Sequence, residues 1–557
     1  LAKIKYALVG TGGRAEFFYG EVVTVFKDTS ELIAFCDVNQ TRMDYANQLL
    51  QKKYEHESIP TYKAHEFDRM IAETKPDIVI VTTIDRVHHR YIIRAMELGC
   101  DVISEKPMTV DEDKCQDILD AIDRTGRKLR VTFNYRYAPH NTKIREIIMD
   151  GTLGDILSVN FEWLLNTQHG ADYFRRWHRD KRNSGGLLVH KSTHHFDLMN
   201  FWLGSKPETV YAMGDLKFYG RENAEQRGVT EFYQRAYGSK AAENDPFALH
   251  LDRNEHLKSM YLDAEHEDGY LRDQSVFGDN ISIEDTLSVM VKYKNKAVMN
   301  YSLNAYMPWE GFIIVFNGTK GRMEVRVSEQ SYVNSGGSKA DEGALKEKTI
   351  TIYPHFAASY EVEVEEGVGG HGGGDPVMLR DIFDKPAEDR FQRAASHIDG
   401  AWSILTGIAA NRSIRTGQPV KVEELVRLSE AATLMIKETP LYLQINRGVF
   451  FLLFIRSQFT GTQLLHRAMV IGKEGSELTD LVRRHFNRLL QHGPVHMLCA
   501  WRGGQGSVVA DRVQILRQKS SEIQFSLQSF FLGNIFWQLG PNTAESFIFL
   551  AALNEYA

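Results

Sequence analysis

Val9-Gly10-Thr11-Gly12-Gly13-Arg14-Ala15 lies between an apolar run at 3–9 and a segment with helical patterning at 14–26. The spacing is G-x-G-x-x-A. Gly10 allows a tight turn, Gly12 lets the backbone approach a pyrophosphate, and Ala15 permits close packing of helix on strand. The start of the helix then offers free N–H groups and partial positive charge to phosphate oxygens. Gly13 belongs to the same cradle, and Arg14 is placed to add a phosphate contact. A second apolar run, 32–36, ends in Cys36-Asp37, 25 residues after Gly12. A carboxylate at that point accepts hydrogen bonds from ribose hydroxyls and repels a 2′-phosphate, so NAD is favoured over NADP. Arg42 would moderate that preference by folding over the site.

Working outward, apolar runs recur at 77–82, 101–104 and 129–133, with helical patterning at 40–53, 86–98 and 111–125. In the last of these, Cys115, Ile118, Leu119 and Ile122 share one stripe, and Gly126 ends it. Alternation at this spacing predicts an α/β fold with a doubly wound parallel sheet over residues 1–130. Beyond about 134 the pattern shifts to strands at 156–164, 209–219, 285–293, 296–304, 311–317 and 321–327, with helices at 187–203, 376–384 and 394–415. That predicts a second, α+β domain over 131–446, built on a large, mostly antiparallel open sheet. Residues 220–280 read as an irregular insertion and 334–346 as a loop. The alternating EVEVEE at 361–366 reads as an edge strand with one solvated face. Residues 447–557, net basic and without clear periodicity, form a C-terminal extension of unassigned fold.

The chain has 557 residues, 43% hydrophobic and 25% charged, with net charge −7. This is the composition of a soluble globular protein and argues against a nucleic-acid partner. No apolar run approaches the ~20 residues that span a bilayer, so no membrane partner is expected. Cys36, Cys100, Cys115 and Cys499 show no paired spacing, which fits free thiols in a reducing compartment. With no leader-like opening segment, a cytoplasmic location is expected.

Several motifs together carry a resemblance. They are the G-x-G-G-R loop, Thr82-Thr83-Ile84-Asp85-Arg86-Val87-His88, Glu105-Lys106-Pro107, Tyr135-Arg136-Tyr137, the Gly151-Thr152-Leu153-Gly154 turn, and the SGG-LLVHKSTHHFD-LMNFWLG stretch. The chain resembles the glucose–fructose oxidoreductase/inositol dehydrogenase/rhizopine-catabolism (Gfo/Idh/MocA) family from residue 3 to about 440. The resemblance implies a Rossmann domain followed by a substrate domain whose open sheet supports dimers or tetramers. It also implies hydride exchange between a nicotinamide and a sugar, cyclitol or related polyol, and cofactor contacts at Thr82, Thr83, His88, Glu105 and Lys106. Carried over by position, Lys106 contacts the reacting hydroxyl and the nicotinamide ribose. Pro107 is a place for a cis peptide.

In the family, the second-domain helix usually carries Asp-x-x-x-His. Here that spacing falls on His190 and His194, so histidine stands at the acidic position. A continuous helix would put His190, His194 and Asp197 on one face. Oxidising an alcohol requires a group that takes the hydroxyl proton as hydride leaves carbon, and histidine suits that task. His194 is the first choice of base, with His190 as substrate contact or as the base itself. Lys106 would stabilise the developing alkoxide. Asp197 either orients an imidazole or satisfies backbone near the helix.

Tyr135, Arg176, Trp177, His178, His195 and His371 are further substrate-site candidates. Trp177 can stack on a sugar face, and Arg176 and His178 can bond hydroxyls. His371 and Asp375 lie in a glycine-rich loop, GGHGGGD at 369–375, where Asp375 could instead cap a helix. Tyr306, Met307 and Trp309 could close the pocket. The histidines, with Asp197, also suggest metal ligands, but the nucleotide fingerprint already accounts for the site and no metal is expected. Three functions follow from these residues. The leading one is an NAD-dependent oxidoreductase acting on CH–OH groups of sugars or polyols. The second is a glycosidase or lyase that holds NAD tightly and works by transient oxidation and elimination. The third is a non-catalytic NAD-binding protein.

Overall fold

Strand β1 (Ile4–Val9) is buried over its last four residues and lies at the centre of a six-stranded parallel sheet. Its partners are β2 (Ser30–Asp37), β3 (Thr61–Lys63), β4 (Ile78–Val81), β5 (Asp101–Ser104) and β6 (Leu129–Val131), in the order β3-β2-β1-β4-β5-β6. Helices α1 (Ala15–Val23), α2 (Gln40–Tyr54), α3 (Phe67–Thr74), α4 (His88–Glu97) and α5 (Glu112–Thr125) complete the expected doubly wound unit. Strand β3 and helix α3 are additional to the segments read from the sequence. At three residues, β3 is too short to show a period. The strand order reverses between β2-β1 and β4, which opens a crevice at the C-terminal ends of β1 and β4.

The computed structural model describes residues 2–331, 343–384 and 389–427, and beyond these only the backbone of strands between Leu443 and Leu553. The expected loop at 334–346 falls mostly outside the described residues, as do the side chains of the basic extension, Cys499 among them. Cys36, Cys100 and Cys115 are free and buried.

The second sheet has nine strands in the order β14-β13-β12-β11-β7-β10-β9-β8-β15. These are β7 (Ile156–Asn166), β8 (Pro207–Asp215), β9 (Thr286–Tyr293), β10 (Val298–Met307), β11 (Glu310–Gly318), β12 (Gly321–Gln330), β13 (Ala344–Pro354), β14 (Tyr360–Glu361) and β15 (Val420–Lys421). Only β7 and β10 pair in parallel. Alternate residues of β9 are buried and exposed, as a sheet covered on one face requires. On the covered face Phe161 meets Trp202 of the helix Ser192–Leu203, and Trp163 stacks between Phe312 and His195 of that helix. The expected edge strand at 361–366 is reduced to two paired residues, Tyr360 and Glu361.

Two connections matter for the cleft. Residues 216–285 leave the sheet after β8 and return at β9. The segment 216–219, expected to extend β8, instead folds around Asp285, whose carboxylate accepts the N–H groups of Lys217, Phe218 and Tyr219. The helix Gly374–Phe383 places Leu379 and Phe383 in the core of the parallel sheet, with Phe383 edge-on to Tyr6 at 5.1 Å. That packing fixes the glycine-rich loop before it against the cleft.

The chain divides into two compact units, Leu1–Arg427 and Leu428–Ala557. In the second, strands Arg467–Gly472, Phe547–Leu553, Val495–Arg502, Val508–Gln518 and Glu522–Ser529 lie side by side in an antiparallel sheet.

Candidate active site

A cavity of about 760 Å³ runs along the crevice of the parallel sheet. Its floor is the glycine loop. Gly10 has φ +93°, and a Cβ there would stand 2.6 Å from the Thr83 backbone nitrogen, so the turn requires glycine. The Thr82 hydroxyl donates to the Gly10 carbonyl at 2.6 Å and locks the β1 and β4 loops together. A Cβ added at Gly12 would meet nothing within 4 Å, and Gly12 lines the cavity. Space therefore stands open where a pyrophosphate would approach the backbone, and the residues fit a dinucleotide. The Asp37 carboxylate is fixed by the Thr11 N–H at 2.5 Å and the Asn39 N–H at 3.0 Å.

Two expected contacts are already engaged. Arg14 donates from Nε to Glu105 at 2.8 Å and stacks 3.7 Å above the Phe17 ring. Arg42 turns to Asp268 at 2.6 Å and to the Met260 carbonyl at 3.2 Å, so its guanidinium is committed to the insertion. His88 bridges the carbonyls of Pro107 and Thr83, each at 2.9 Å, and so positions two cavity loops. The Lys106–Pro107 peptide is cis.

At the other end of the cavity, Lys106, His178, His190, His194 and His371 face one space. His190 Nδ1 lies 2.5 Å from Asp85 Oδ2. Burial pushes the Asp85 carboxyl well above its usual range, with Lys106 opposing. Burial, reinforced by Lys106, pushes the His190 imidazole well below its own. Burial thus disfavours the charged form of both groups, which face each other across one hydrogen bond. Burial also lowers Lys106 to about 8, against the pull of Glu105 and Asp85, and its Nζ donates to the His190 carbonyl at 3.3 Å. A second imidazole–carboxylate pair stands at His371 Nδ1 and Asp375, 2.8 Å apart, with Asn134 donating to the other Asp375 oxygen at 2.6 Å. Asp375 thus orients His371 and is not the helix cap, which is Gly373. The loop needs its glycines for tight packing: a Cβ on Gly374 would lie 2.3 Å from the Asn134 carbonyl oxygen.

The expected helix 187–203 is present with an irregularity at one residue, Lys191, whose backbone stays in the right-handed helical region. Its two stretches, Leu187–His190 and Ser192–Leu203, join at Lys191. His190 and His194 face different neighbours. The first meets His178 at 4.1 Å between ring centroids, the second Tyr135 at 5.0 Å and His371 at 6.3 Å. Asp197 orients no imidazole, because both its oxygens accept from Arg136 at 2.6 and 2.7 Å.

Two substrate candidates stand behind the cavity wall. His195 is fully buried, stacked on Trp163 at 3.9 Å and bonded to the Tyr301 hydroxyl at 2.6 Å. Tyr135 is buried and donates to Glu329 at 3.0 Å, supporting the rings of His194 and His371 from behind. Tyr306, expected near the pocket, instead stacks on Phe218 at 4.9 Å and bonds Thr286. Arg176, Trp177 and His178 do line the cavity; Trp177 stacks on His178 at 3.5 Å, and Arg176 pairs with Asp172 at 2.8 Å.

Among the described residues, Asp85, His178 and His190 bring ligand atoms within 4.8 Å of one another, close enough for a divalent cation. Such an ion would displace the proton between Asp85 and His190 and would face the charges of Lys106 and Arg176. The donor set suits proton transfer better.

Residues 4–133 match the NAD-binding Rossmann fold of an oxidoreductase family, and residues 145–422 match its C-terminal alpha/beta domain. The chain belongs to the Gfo/Idh/MocA oxidoreductase family. It is 36% identical over 440 residues to the Bacillus subtilis (strain 168) protein named "Putative oxidoreductase YteT", covering 75% of this chain and 98% of that one. D-glucoside 3-dehydrogenase of Escherichia coli (strain K12) is 27% identical over 201 residues, 36% of this chain and 54% of its own. Glycosyl hydrolase family 109 protein 2 of Akkermansia muciniphila is 23% identical over 442 residues, 77% and 84% respectively.

In this Gfo/Idh/MocA member, the residue that sequence reasoning passed over is Asp85. Asp85 belongs to the parallel-sheet domain and reaches His190 of the second domain. The signal was present in Thr82-Thr83-Ile84-Asp85, quoted for the resemblance but not for its chemistry. No helix among the described residues is long and apolar enough to cross a membrane.

Proposed function

We propose that the protein moves a hydride between a CH–OH carbon of a sugar or polyol and NAD, with His190 as the proton acceptor. The Asp85–His190 pair beside Lys106 carries this reading. Bound NAD supplies the hydride acceptor. Asp85 accepts the Nδ1–H of His190, which leaves Nε2 to take the hydroxyl proton. Lys106 stabilises negative charge on the substrate oxygen as that proton departs. Trp177 and His178 provide a flat wall for the sugar ring, and His194 and His371 supply further hydrogen-bonding groups. Asp37 faces the cavity near the expected ribose, with Arg42 turned away to Asp268, and its carboxylate favours NAD over NADP. The test is a panel of hexoses, cyclitols and glycosides with NAD, read by NADH formation, in wild type and His190→Ala. The expected outcome is turnover with at least one member, falling about 10²–10⁴-fold in the variant. Full activity of His190→Ala would overturn the assignment.

The His371–Asp375 pair favours keeping a second reading. Cleaving a glycoside by oxidation and elimination needs a further acid–base group, and His371, which lines the same cavity, would supply it. The family 109 relative is named a glycosyl hydrolase. Glycoside cleavage without net NADH in the same panel would select this reading over simple dehydrogenation.

A further inference from the structure

Three cations, Lys106, Arg176 and Lys191, line the cavity together with His190. The carboxylates lining the same end are engaged with other groups. Asp85 is bonded to His190 at 2.5 Å, Glu105 to Arg14 at 2.8 Å, and Asp180 to Arg182 at 2.6 Å. The cations are not matched in the same way.

Lys191 is only 5% exposed, and its Nζ rests 4.9 Å from the centre of the Trp163 ring and 5.9 Å from that of Tyr135. Among the described residues, its ammonium has no hydrogen-bond or ion-pair partner. Glu310 and Glu329 lie close enough to feel its charge, but both are turned to other donors. Glu310 takes His169 at 2.8 Å and the Asn166 N–H at 2.9 Å, and Glu329 takes the Tyr135 hydroxyl at 3.0 Å. Burial also raises Glu329 to about 7, so its charge is incomplete near neutral pH. An ammonium carries three N–H donors, and a buried donor without an acceptor is costly. Contact with the ring faces offsets only part of that cost.

Arg176 adds to the excess. It pairs with Asp172 at 2.8 Å, but Asp172 also takes Arg272 at 2.7 Å and Arg175 at 3.1 Å. One fully buried carboxylate thus serves three guanidinium groups, and Arg272 is itself fully buried. Positive charge is left over beside the cavity. Beyond the effect of burial, Lys106, Arg176 and Lys191 all disfavour a charge on His190. Arg176 does the same at His178, and Lys191 at His194. The unmatched cations therefore surround the place of the substrate.

We propose that the substrate is an acidic sugar and that Lys191 binds its carboxylate, with Arg176 adding to the attraction. The proposal rests on the reading of the cleft as a site of hydride transfer and narrows its substrates to sugar acids such as hexuronates. A hydroxyl offers the ammonium an acceptor and no charge. A carboxylate offers two acceptor oxygens and the missing negative charge, and charge-assisted hydrogen bonds are the stronger kind. The carboxylate belongs to a carbon other than the one oxidised, because Lys106 attends the reacting oxygen.

The full chain loaded with NAD is offered matched pairs: glucuronate and glucose, galacturonate and galactose, mannuronate and mannose. Binding is read by titration calorimetry and turnover by NADH formation, in wild type, Lys191→Met and Lys191→Arg. Methionine keeps the stem packed on Trp163 and removes the charge. The expected result is that at least one acid binds about tenfold or more tightly than its parent sugar. Lys191→Met is expected to erase most of that ratio, and Lys191→Arg to restore part of it. Neutral sugars bound as well as their acids, or no binding of any acid, overturn the proposal; turnover of the neutral sugars would leave hydride transfer standing. An acid preference that survives Lys191→Met overturns it too. So does a variant that loses affinity for NAD and keeps the preference, which would put the ammonium on the dinucleotide. Wild type that binds neither NAD nor NADP overturns the reading of the cleft, and the acid subsite with it. Should Lys191→Met fail to fold, the acid-to-neutral ratio of wild type decides alone.

Discussion

A histidine that takes a proton in a dry site must have its other nitrogen held, because a free ring adopts either tautomer and either orientation. Asp85 does this for His190, and Asp375 does it for His371, while His194 Nδ1 is buried without a hydrogen-bond partner. His190 is for that reason the better base, although spacing along the sequence favoured His194. Asp85→Asn tests the arrangement with little change in shape. An amide can present its NH2 group to Nδ1 and so force the tautomer whose Nε2 carries the proton. The expected outcome is a fall in kcat of about 10²–10⁴-fold, the range for losing general-base assistance, with KM and NAD affinity nearly unchanged. Steady-state kinetics and NAD titration check both. A loss confined to KM would make Asp85 a substrate contact only.

At the level of elements, the catalytic segment is held by the helix His397–Thr416. Asn411 donates to the Gly185 carbonyl at 2.6 Å, and the Thr193 and Ser403 hydroxyls meet at 3.0 Å. Gly407 lies so close that a Cβ would stand 2.2 Å from the Leu188 carbonyl oxygen. Gly407→Ala gains about 1 kcal/mol of helix propensity. It also drives a methyl group into backbone that has no rotamer to change, and overpacking typically costs about 1–3 kcal/mol. A lower Tm and reduced activity from a displaced Leu187–His190 turn are expected, by thermal melting and kinetics; a raised Tm would show that the two elements can separate freely. The parallel sheet, with its period of strand and helix, was legible in the sequence because each element carries its own apolar stripe. The irregularity at Lys191 was not, because the apolar pattern runs through it unbroken. Tyr135 and His195 were misplaced for a similar reason. Sequence spacing says which residues share a segment, but not whether the ring meets the cleft or, like His195, slides under Trp163. Asp85 required a contact between domains, which no local period encodes.

For the whole molecule, the unusual feature is how many histidines are buried uncharged. Burial lowers His140 to about 3 and carries His178, His194 and His195 well below their usual value. Because these native values lie below the unfolded value near 6.5, the unfolded chain binds more protons than the native one as pH falls below about 6.5, and stability is lost in that direction. Each such histidine contributes up to about 1.4 kcal/mol per pH unit. Glu329 acts oppositely. Burial raises it to about 7, so native protein holds a proton there that the unfolded chain has released, and its stabilising effect is present below about 4.5 and gone above about 7. The lowered histidines outnumber the buried carboxyls that oppose them, Glu329, Asp197 (raised by burial to about 6) and Asp85, so unfolding takes up protons as pH falls below about 6.5. Melting of the full chain, followed by near-ultraviolet circular dichroism in buffers from pH 7.5 to 5, is expected to show Tm falling steeply below about 6.5. A Tm that is flat across that interval would mean that these histidines are already charged, or reach water, in the native state, and a neutral His190 base would fall with them.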